Sequence, residues 1–330
     1  MLESTAMQPL ENDLLNQRSV SSPTLQSAES SYTVVITGCS SGIGFQCAVD
    51  LASRGWRVLA AVRRTEDGDK LVATAGHRVL PLLLDVTDPT SIANAAQVVQ
   101  AELGNARLEA LVNNAGILLA GPLESISMQQ LREQFEVNVF GVHAVTRAML
   151  PFLKREAAPR SVGGRSRRKH TARLVMMGSI SGRITPPLYG AYAASKHALE
   201  AMADAWRMEL CEQNIDVSIV QPDSVATPIW HKATETLADN DHSRSRQQSG
   251  VEERASPLSL QLRTVRRSGL SNAKSGMPPA HVVAAVRHAL TTSHPRAHYP
   301  VGWRTRASFI AQQWLPTRLF DAVLRRTIGS

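Results

Sequence analysis

Six short runs of apolar, largely β-branched residues recur along the chain: TVVIT (33–37), RVLAAV (57–62), VLPLLLD (79–85), ALVNN (110–114), LVMMG (174–178) and VSIVQP (217–222). Stretches with helical periodicity separate them. Runs of this length read as buried strands, and their alternation with helices predicts an α/β fold, a parallel sheet covered on both faces. HYPVG, near residue 300, supplies a seventh strand. Pro81 sits inside the third run, and proline cannot donate to a ladder, so that strand belongs at a sheet edge. The doubly wound order 3-2-1-4-5-6 places the third strand there. The expected order, with the last strand added, is 3-2-1-4-5-6-7.

A chain of 330 residues with 43% hydrophobic content can bury one large core, expected over 32–330. Residues 1–31 are polar and Ser-rich and read as a mobile N-terminal arm. Leu199, Met202, Trp206 and Leu210 fall at helical intervals, predicting an amphipathic helix into the sixth strand. The polar stretch after that strand lies on the side where ligands enter open sheets, so 226–276 is expected to be a substrate lid. A basic stretch predicts a surface loop insertion over 157–173, and 303–328 reads as a helical C-terminal segment.

The net charge of +8 collects mainly in 160–173 and 244–274. No aromatic platform accompanies it, so a solvated loop is expected and nucleic-acid binding is not. The three cysteines show no metal-ligand spacing, and no metal is expected. No apolar run approaches the roughly 18 residues of a membrane span, and the N-terminal residues lack a secretory pattern. A cytoplasmic protein is the expectation. Phe309, Ile310, Trp314, Leu315, Leu319, Phe320, Val323 and Leu324 lie among arginines, a pattern that suits peripheral membrane contact, closure of a pocket or a subunit interface.

After the first strand comes TGCSSGIG (37–44), opening the helix GIGFQCAVDLASRG. A glycine turn lets backbone approach a phosphate, and the helix N-terminus offers N–H donors and positive dipole. The spacing of Gly38, Gly42 and Gly44 is T-G-x-x-x-G-x-G, unlike the common dinucleotide fingerprint. Tyr192 and Lys196, four apart in YAASK, meet on one helix face, a spacing that alone decides little.

TGCSSGIG, NNAG (113–116), NVFG (138–141), GSISG (178–182) and YAASK (192–196), in this order, resemble the short-chain dehydrogenase/reductase family over about 33–230. VATPIW and the last segment are similar to its branch of retinol and 17β-hydroxysteroid dehydrogenases and bacterial relatives. The resemblance implies a Rossmann-type fold and hydride exchange between a nicotinamide and an alcohol or carbonyl. It implies a catalytic set of Asn138, Ser179, Tyr192 and Lys196 and a homodimer or homotetramer. Ser179 would hold the substrate oxygen, Lys196 would also contact the nicotinamide ribose, and Asn138 would fix a proton-relaying water. The cofactor contacts it implies are Gly38, Ser40, Ser41, Gly42, Ile43, Gly44, Arg63, Asp85, Val86, Asn113, Ala115, Gly116, Tyr192, Lys196, Pro222, Val225 and Thr227. The NNAG motif equally suits a brace of the central sheet.

The chemistry agrees with this set. Protonating a carbonyl oxygen as hydride arrives needs an acid, and a tyrosine with a pKa of about 10 needs help near neutrality. A lysine ammonium one turn away, together with the positive nicotinamide ring, favours the phenolate. Tyr189 has Ala193 where a lysine would be required, and His197 points about 100° from Lys196 around the helix. Ser181 competes with Ser179 as a second hydroxyl at the strand end.

Val62 stands at the end of the second strand where an acid would bind the ribose of NAD, and Arg63 and Arg64 follow it. Arginine accommodates the 2′-phosphate, so NADP(H) is favoured, with NAD(H) as the alternative. Asp223 follows Pro222 where the family usually has glycine, and a left-handed turn with the carboxylate near the nicotinamide is expected. The expected function is an NADP(H)-preferring oxidoreductase interconverting a lipophilic alcohol and a ketone or aldehyde, steroid- or retinoid-like. The alternative is a non-catalytic NAD(P)-binding sensor or scaffold.

Overall fold

A computed structural model of the chain describes residues 32–156, 171–231, 233, 266–267 and 269–329. The N-terminal arm, most of the basic insertion and most of the lid segment lie outside the described residues. Seven parallel strands form one sheet in the order β3-β2-β1-β4-β5-β6-β7. They are β1 (Thr33–Ile36), β2 (Arg57–Val62), β3 (Val79–Leu83), β4 (Ala110–Asn113), β5 (Ala172–Met177), β6 (Ile215–Pro222) and β7 (His298–Val301). Both edge strands carry a proline, Pro81 on β3 and Pro300 on β7. The missing N–H costs least where one side of the strand has no neighbour.

Alternation along the strands explains the two layers. Val34, Ile36, Val58, Ala60 and Val62 face α1 (Gly42–Ser53), α2 (Thr65–Ala75) and, counted in chain order, α7 (Pro279–Thr291). Their neighbours Val35, Leu59 and Ala61 face α3 (Pro89–Leu103), α5 (Gly141–Leu153) and α6 (Gly190–Leu210). Buried on both faces, these strands read as unbroken apolar runs. Local signals start the helices. Asp88 caps α3 ahead of Pro89, accepting from Thr90 N at 2.9 Å, and Ser127 forms a capping box with Gln130 at the start of α4 (Met128–Phe135).

On α6, Leu199 and Leu210 are buried in the core, Trp206 packs against it, and Ala203 takes the place that the spacing gave to half-buried Met202. The expected insertion ends earlier than residue 173, because Ala172 and Arg173 belong to β5. A charge is tolerated in that strand because Arg173 pairs with Asp216 on β6 and donates to the Thr292 carbonyl at 2.8 Å. The C-terminal segment is two helices, α8 (Trp303–Trp314) and α9 (Thr317–Gly329), broken where Pro316 forces Leu315 into extended backbone. Ser224 to Ala226 pair with Met277 through two backbone hydrogen bonds of 2.9 and 3.0 Å.

Gly68 of α2 lies against Pro81 so closely that a Cβ would fall 2.7 Å from the proline Cβ. Neither ring nor backbone can retreat. Gly68→Ala is expected to destabilise the protein by about 1–3 kcal/mol, lowering the urea midpoint with the slope unchanged.

Candidate active site

Strand order reverses at β1, which lies between β2 and β4, and a crevice opens beyond the strands' carboxyl ends at that point. The turn after β1 forms one lip. Gly38 adopts φ 71° and Gly42 φ 62°, conformations that side chains resist. A Cβ on Gly38 would fall 2.9 Å from Ala115 Cα, and one on Gly44 would land on Asn114 Nδ2 and the Gly38 carbonyl. The turn is therefore pressed directly against the loop after β4.

Two side chains weld the lips. Thr37 Oγ1 accepts from the backbone N–H groups of Asn114 and Ala115, both at 2.9 Å. Asn114 Nδ2 donates to the carbonyls of Thr37 at 2.9 Å and Gly38 at 3.1 Å. Thr37 and Asn114 were not among the sequence candidates. Asn113, which was, turns inward instead and donates to Thr146 Oγ1 of α5 at 2.8 Å. Alternation on a strand sends one asparagine to the core and the next to the turn, and composition alone does not say which.

The arrangement fits a dinucleotide. No side chain caps the start of α1 at Ser41, Ser40 and Ser41 are exposed, and Gly42 faces Thr227 across the crevice, 3.4 Å from where its Cβ would be. Uncapped N–H groups at a helix start suit a pyrophosphate. Ile43 packs half-buried on the core below them. Asp85 accepts from the N–H and hydroxyl of Thr87 at 2.9 and 2.8 Å. Burial pushes its carboxyl upward, but those bonds and the charge of Arg63 prevail and hold it below the usual range. Arg64 pairs with Asp67 at 3.2 Å, whereas the exposed Arg63 faces Asp85. The carbonyl of Val86 lies where a Cβ on Gly141 would be, at 2.7 Å, which explains the glycine that ends NVFG.

Across the crevice, α4 passes into α5 through one π-helical stretch, Glu136–Phe140, that carries Asn138. Such bulges recur at functional sites. Asn138 is fully buried; its Oδ1 accepts from Ile117 N at 2.9 Å, and its Nδ2 donates to Ile117 O at 3.0 Å and Ser195 Oγ at 3.1 Å. Both amide hydrogens are thus engaged, and a bound water is left the second lone pair of Oδ1 or the backbone. Gly116 keeps that space open: its Cβ would stand 3.2 Å from Asn138 Oδ1 and 3.8 Å from Lys196 Nζ. Gln134, another residue the sequence did not single out, holds the same loop through Leu119 N at 2.7 Å and Ile117 O at 2.9 Å.

Ser179 begins the turn after β5, and its hydroxyl accepts from Ser181 N at 3.1 Å; Ser179, not Ser181, is the hydroxyl that acts on Tyr192. Lys196 Nζ donates to the Met177 carbonyl at 2.8 Å and lies 5.8 Å from the centre of the Tyr192 ring. Burial pushes Tyr192 above its ordinary value, and the Ser179 hydrogen bond opposes it. Burial also pushes Lys196 down, to about 8, against the charge of Glu200. In the protein alone the largest effect on both groups is their removal from water, and the expected lowering of the phenol draws on the nicotinamide's positive charge as well as the lysine's.

His197 bonds the Ala193 carbonyl of its own helix at 2.8 Å, pointing away from Lys196. Tyr189 sits at the start of α6 and packs with Leu118, Ala120, Leu188, Ile229 and Trp230 around Tyr192. Asp223 departs from expectation. Its backbone is not left-handed; its carboxylate accepts from Ser224 N at 2.7 Å, which turns the chain without a positive φ. Pro222 ends β6, and buried Val225 forms the bridge to Met277.

A family model described as short chain dehydrogenase matches residues 32–238. The chain is 35% identical over 293 residues to the "uncharacterized oxidoreductase YbbO" of Escherichia coli K12, covering 89% of this chain and 94% of that one. It is 34% identical to retinol dehydrogenase 16 of Mus musculus, over 88% of this chain and 87% of that one. Against 17-beta-hydroxysteroid dehydrogenase type 6 of Homo sapiens it is 33% identical, over 89% and 88%. A short-chain dehydrogenase from Streptomyces avermitilis superposes with a TM-score of 0.63 at 27% identity, over 86% of this chain and 93% of that one. The same fold occurs in the Burkholderia cenocepacia enzyme solved with NADP (TM-score 0.61, 23% identity, 91% and 98% covered). It occurs also in the Burkholderia phymatum enzyme solved with NAD (TM-score 0.64, 23% identity, 86% and 91% covered).

Replacing Thr37 by isosteric valine leaves two N–H groups at the joined lips without their acceptor. Thr37→Val is expected to cost about 1–3 kcal/mol in urea denaturation. Dinucleotide binding, followed by fluorescence quenching, is expected to weaken with it.

Proposed function

The chain belongs to the short-chain dehydrogenase/reductase family, an NAD(P)-dependent oxidoreductase, and on that premise we propose that it interconverts a lipophilic alcohol and its carbonyl with NADP(H) preferred. The observation that carries the reading is the meeting of Ser179, Tyr192 and Lys196 beside the glycine turn, inside an apolar wall. In this reading the nicotinamide supplies or takes up the hydride when bound. Ser179 holds the substrate oxygen. Tyr192 gives its hydroxyl proton to that oxygen in reduction and takes it back in oxidation. Lys196 stabilises the phenolate by charge, and Asn138 and the gap at Gly116 give the proton a way out toward water. Gly38 to Gly44, Asp85, Val86, Ala115, Gly116, Val225 and Thr227 line the dinucleotide's path.

Two features support the finer choices. Leu118, Ala120, Leu188, Tyr189, Ile229 and Trp230 offer the substrate an almost wholly apolar surface, which suits a steroid- or retinoid-like molecule better than a small hydroxy acid. Val62 is buried where an acid would discriminate against a 2′-phosphate, and Arg63 is exposed beside it. A screen of NADPH and NADH oxidation over ketosteroids, retinal, short ketones and keto acids tests both, with Tyr192→Phe as the blank. Turnover is expected with the bulky apolar carbonyls and to fall at least a hundredfold in the variant. Arg63→Ala is expected to raise the KM for NADPH about tenfold and leave NADH unchanged. Turnover that survives Tyr192→Phe, or none with any carbonyl, favours the binding-only sensor.

A membrane-facing role rests on a separate observation. Trp303, Ile310 and Trp314 lie on one side of α8 and are 76%, 60% and 78% exposed. Arg304 and Arg306 flank them, and Arg318, Arg325 and Arg326 follow on α9 with Asp321 as the one acid between 303 and 329. Among the described residues no helix is long and apolar enough to cross a membrane. Tryptophans at both ends of a cationic helix suit the surface of an anionic bilayer. Sedimentation with phosphatidylserine vesicles is expected to carry the protein down, several-fold less after Trp303→Ala with Trp314→Ala. No sedimentation, with a solution mass that falls to the monomer in the double variant, assigns the stripe to a homodimer or homotetramer instead.

A further inference from the structure

Gly178 and Gly182 bracket the turn that carries Ser179, and both make room for the same side chain. A Cβ on Gly178 would stand 3.0 Å from Glu200 Oε1, and one on Gly182 would stand 2.8 Å from Glu200 Cγ and 2.9 Å from Oε1. Glu200 lies one turn beyond Lys196 on α6 and is 8% exposed. A carboxylate so placed needs partners. Fully buried Gln221 of β6 gives Nε2 to both oxygens, at 3.0 and 2.9 Å. His298 of β7 brings Nδ1 to 3.5 Å from Oε2 and Nε2 to 3.4 Å from Asp204 Oδ1. The hydride-transfer reading gives this group no task.

We propose that Glu200 is a positioning residue for the proton chemistry, the buried counter-charge that keeps Lys196 an ammonium. The proposal rests on the reading of Tyr192 and Lys196 as the acid/base pair. Burial alone drives Lys196 toward the neutral amine, and Glu200 opposes it. The charged groups that act on the carboxylate are Lys196 on α6 and His298 from β7, with Gln221 from β6 neutral; His298 in turn meets Asp204 on α6 and feels Arg183 from the turn after Ser179. The hydrogen bond to Glu200 raises His298 above its ordinary value, burial and Arg183 opposing. Below that value the imidazolium offsets the carboxylate. Above it the imidazole is neutral, so the full charge of Glu200 acts on Lys196 in the alkaline range where the ammonium would be lost.

The direct test reads the lysine itself, by pH titration of ¹³Cε-lysine resonances with Lys196→Met identifying the signal. Glu200→Gln keeps the shape and removes the charge; the Lys196 midpoint is expected to fall by about one pH unit. Glu200→Asp and His298→Gln are expected to leave it near the wild-type position. An unmoved midpoint in Glu200→Gln, in protein whose melting and NADPH binding are normal, overturns the proposal. The pH profile of NADPH oxidation, with the best carbonyl of the screen, separates the proposal from the reading beneath it. Removing a negative charge lowers the pKa of tyrosine and lysine alike, so the alkaline limb is expected to move down with the midpoint. A lowered midpoint with an unmoved limb leaves Glu200 in control of a lysine that the proton chemistry does not use, and overturns the assigned role.

Discussion

The contact between the turn after β1 and the loop after β4 is the constraint on which the site depends. These are the two lips of the crevice where the strand order reverses, and they touch through backbone. Gly38 and Gly44 permit the approach, and Thr37 and Asn114 lock it with four hydrogen bonds. One lip then aims the start of α1 across the crevice. The other fixes Gly116, and Gly116 sets the gap between Asn138 and Lys196. Positions separated by 76 to 78 residues in sequence are thus held by a threonine hydroxyl and an asparagine amide.

The strands were legible because burial on both faces leaves little freedom in composition: β2 runs over the same six residues that the apolar run marks, and Pro81 alone placed β3 at an edge. Motif spacing likewise brought Ser179, Tyr192 and Lys196 together in advance of any geometry. What escaped were residues whose meaning is set by distant partners. Arg173 reads as part of a basic loop until Asp216 appears beside it across the β5–β6 ladder. Asn113 and Asn114 are the same residue type in adjacent places and have opposite duties. Glu200 looks like an ordinary acid on a helix, because the glycines that enclose it stand 18 and 22 positions earlier.

Buried charge is handled differently at the two ends of the sheet. Near the strands' amino ends, Arg107 pairs with Glu109 at 2.6 Å and Arg173 with Asp216, each an ion pair with a direct partner. Such pairs contribute little net stability, but removing one member leaves a costly lone charge. Near the carboxyl ends, Lys196 has a carbonyl as its hydrogen-bond partner and its counter-charge a turn away. Burial lowers the lysine's affinity for its proton to about 8 and Glu200 only partly restores it, while burial raises the neighbouring tyrosine. The same fold thus pairs its buried charges directly at one end of the sheet and leaves one without a direct ionic partner at the other, where the proposed function places the chemistry.

Strain follows the same division. Among the described non-glycine residues, Leu188 and Asn214 have positive φ, at 67° and 57°. Asparagine tolerates that region and here turns the chain into β6, but for leucine it costs about 1–2 kcal/mol. Leu188 is held there by its carbonyl, which accepts from Gly121 N at 2.7 Å, and by packing among the apolar residues around Tyr192. The left-handed step lets the chain pass from two prolines, Pro186 and Pro187, into α6 within three residues. Tyr189 is thereby set edge-on to Trp230, whose Nε1 is tied to the Val225 carbonyl at 2.8 Å. A relaxed leucine would swing Tyr189 off Trp230 and open the apolar wall. In the proposed function the strained residue therefore belongs to the apolar wall that meets the substrate, and the glutamate, lysine and tyrosine behind it belong to the proton chemistry.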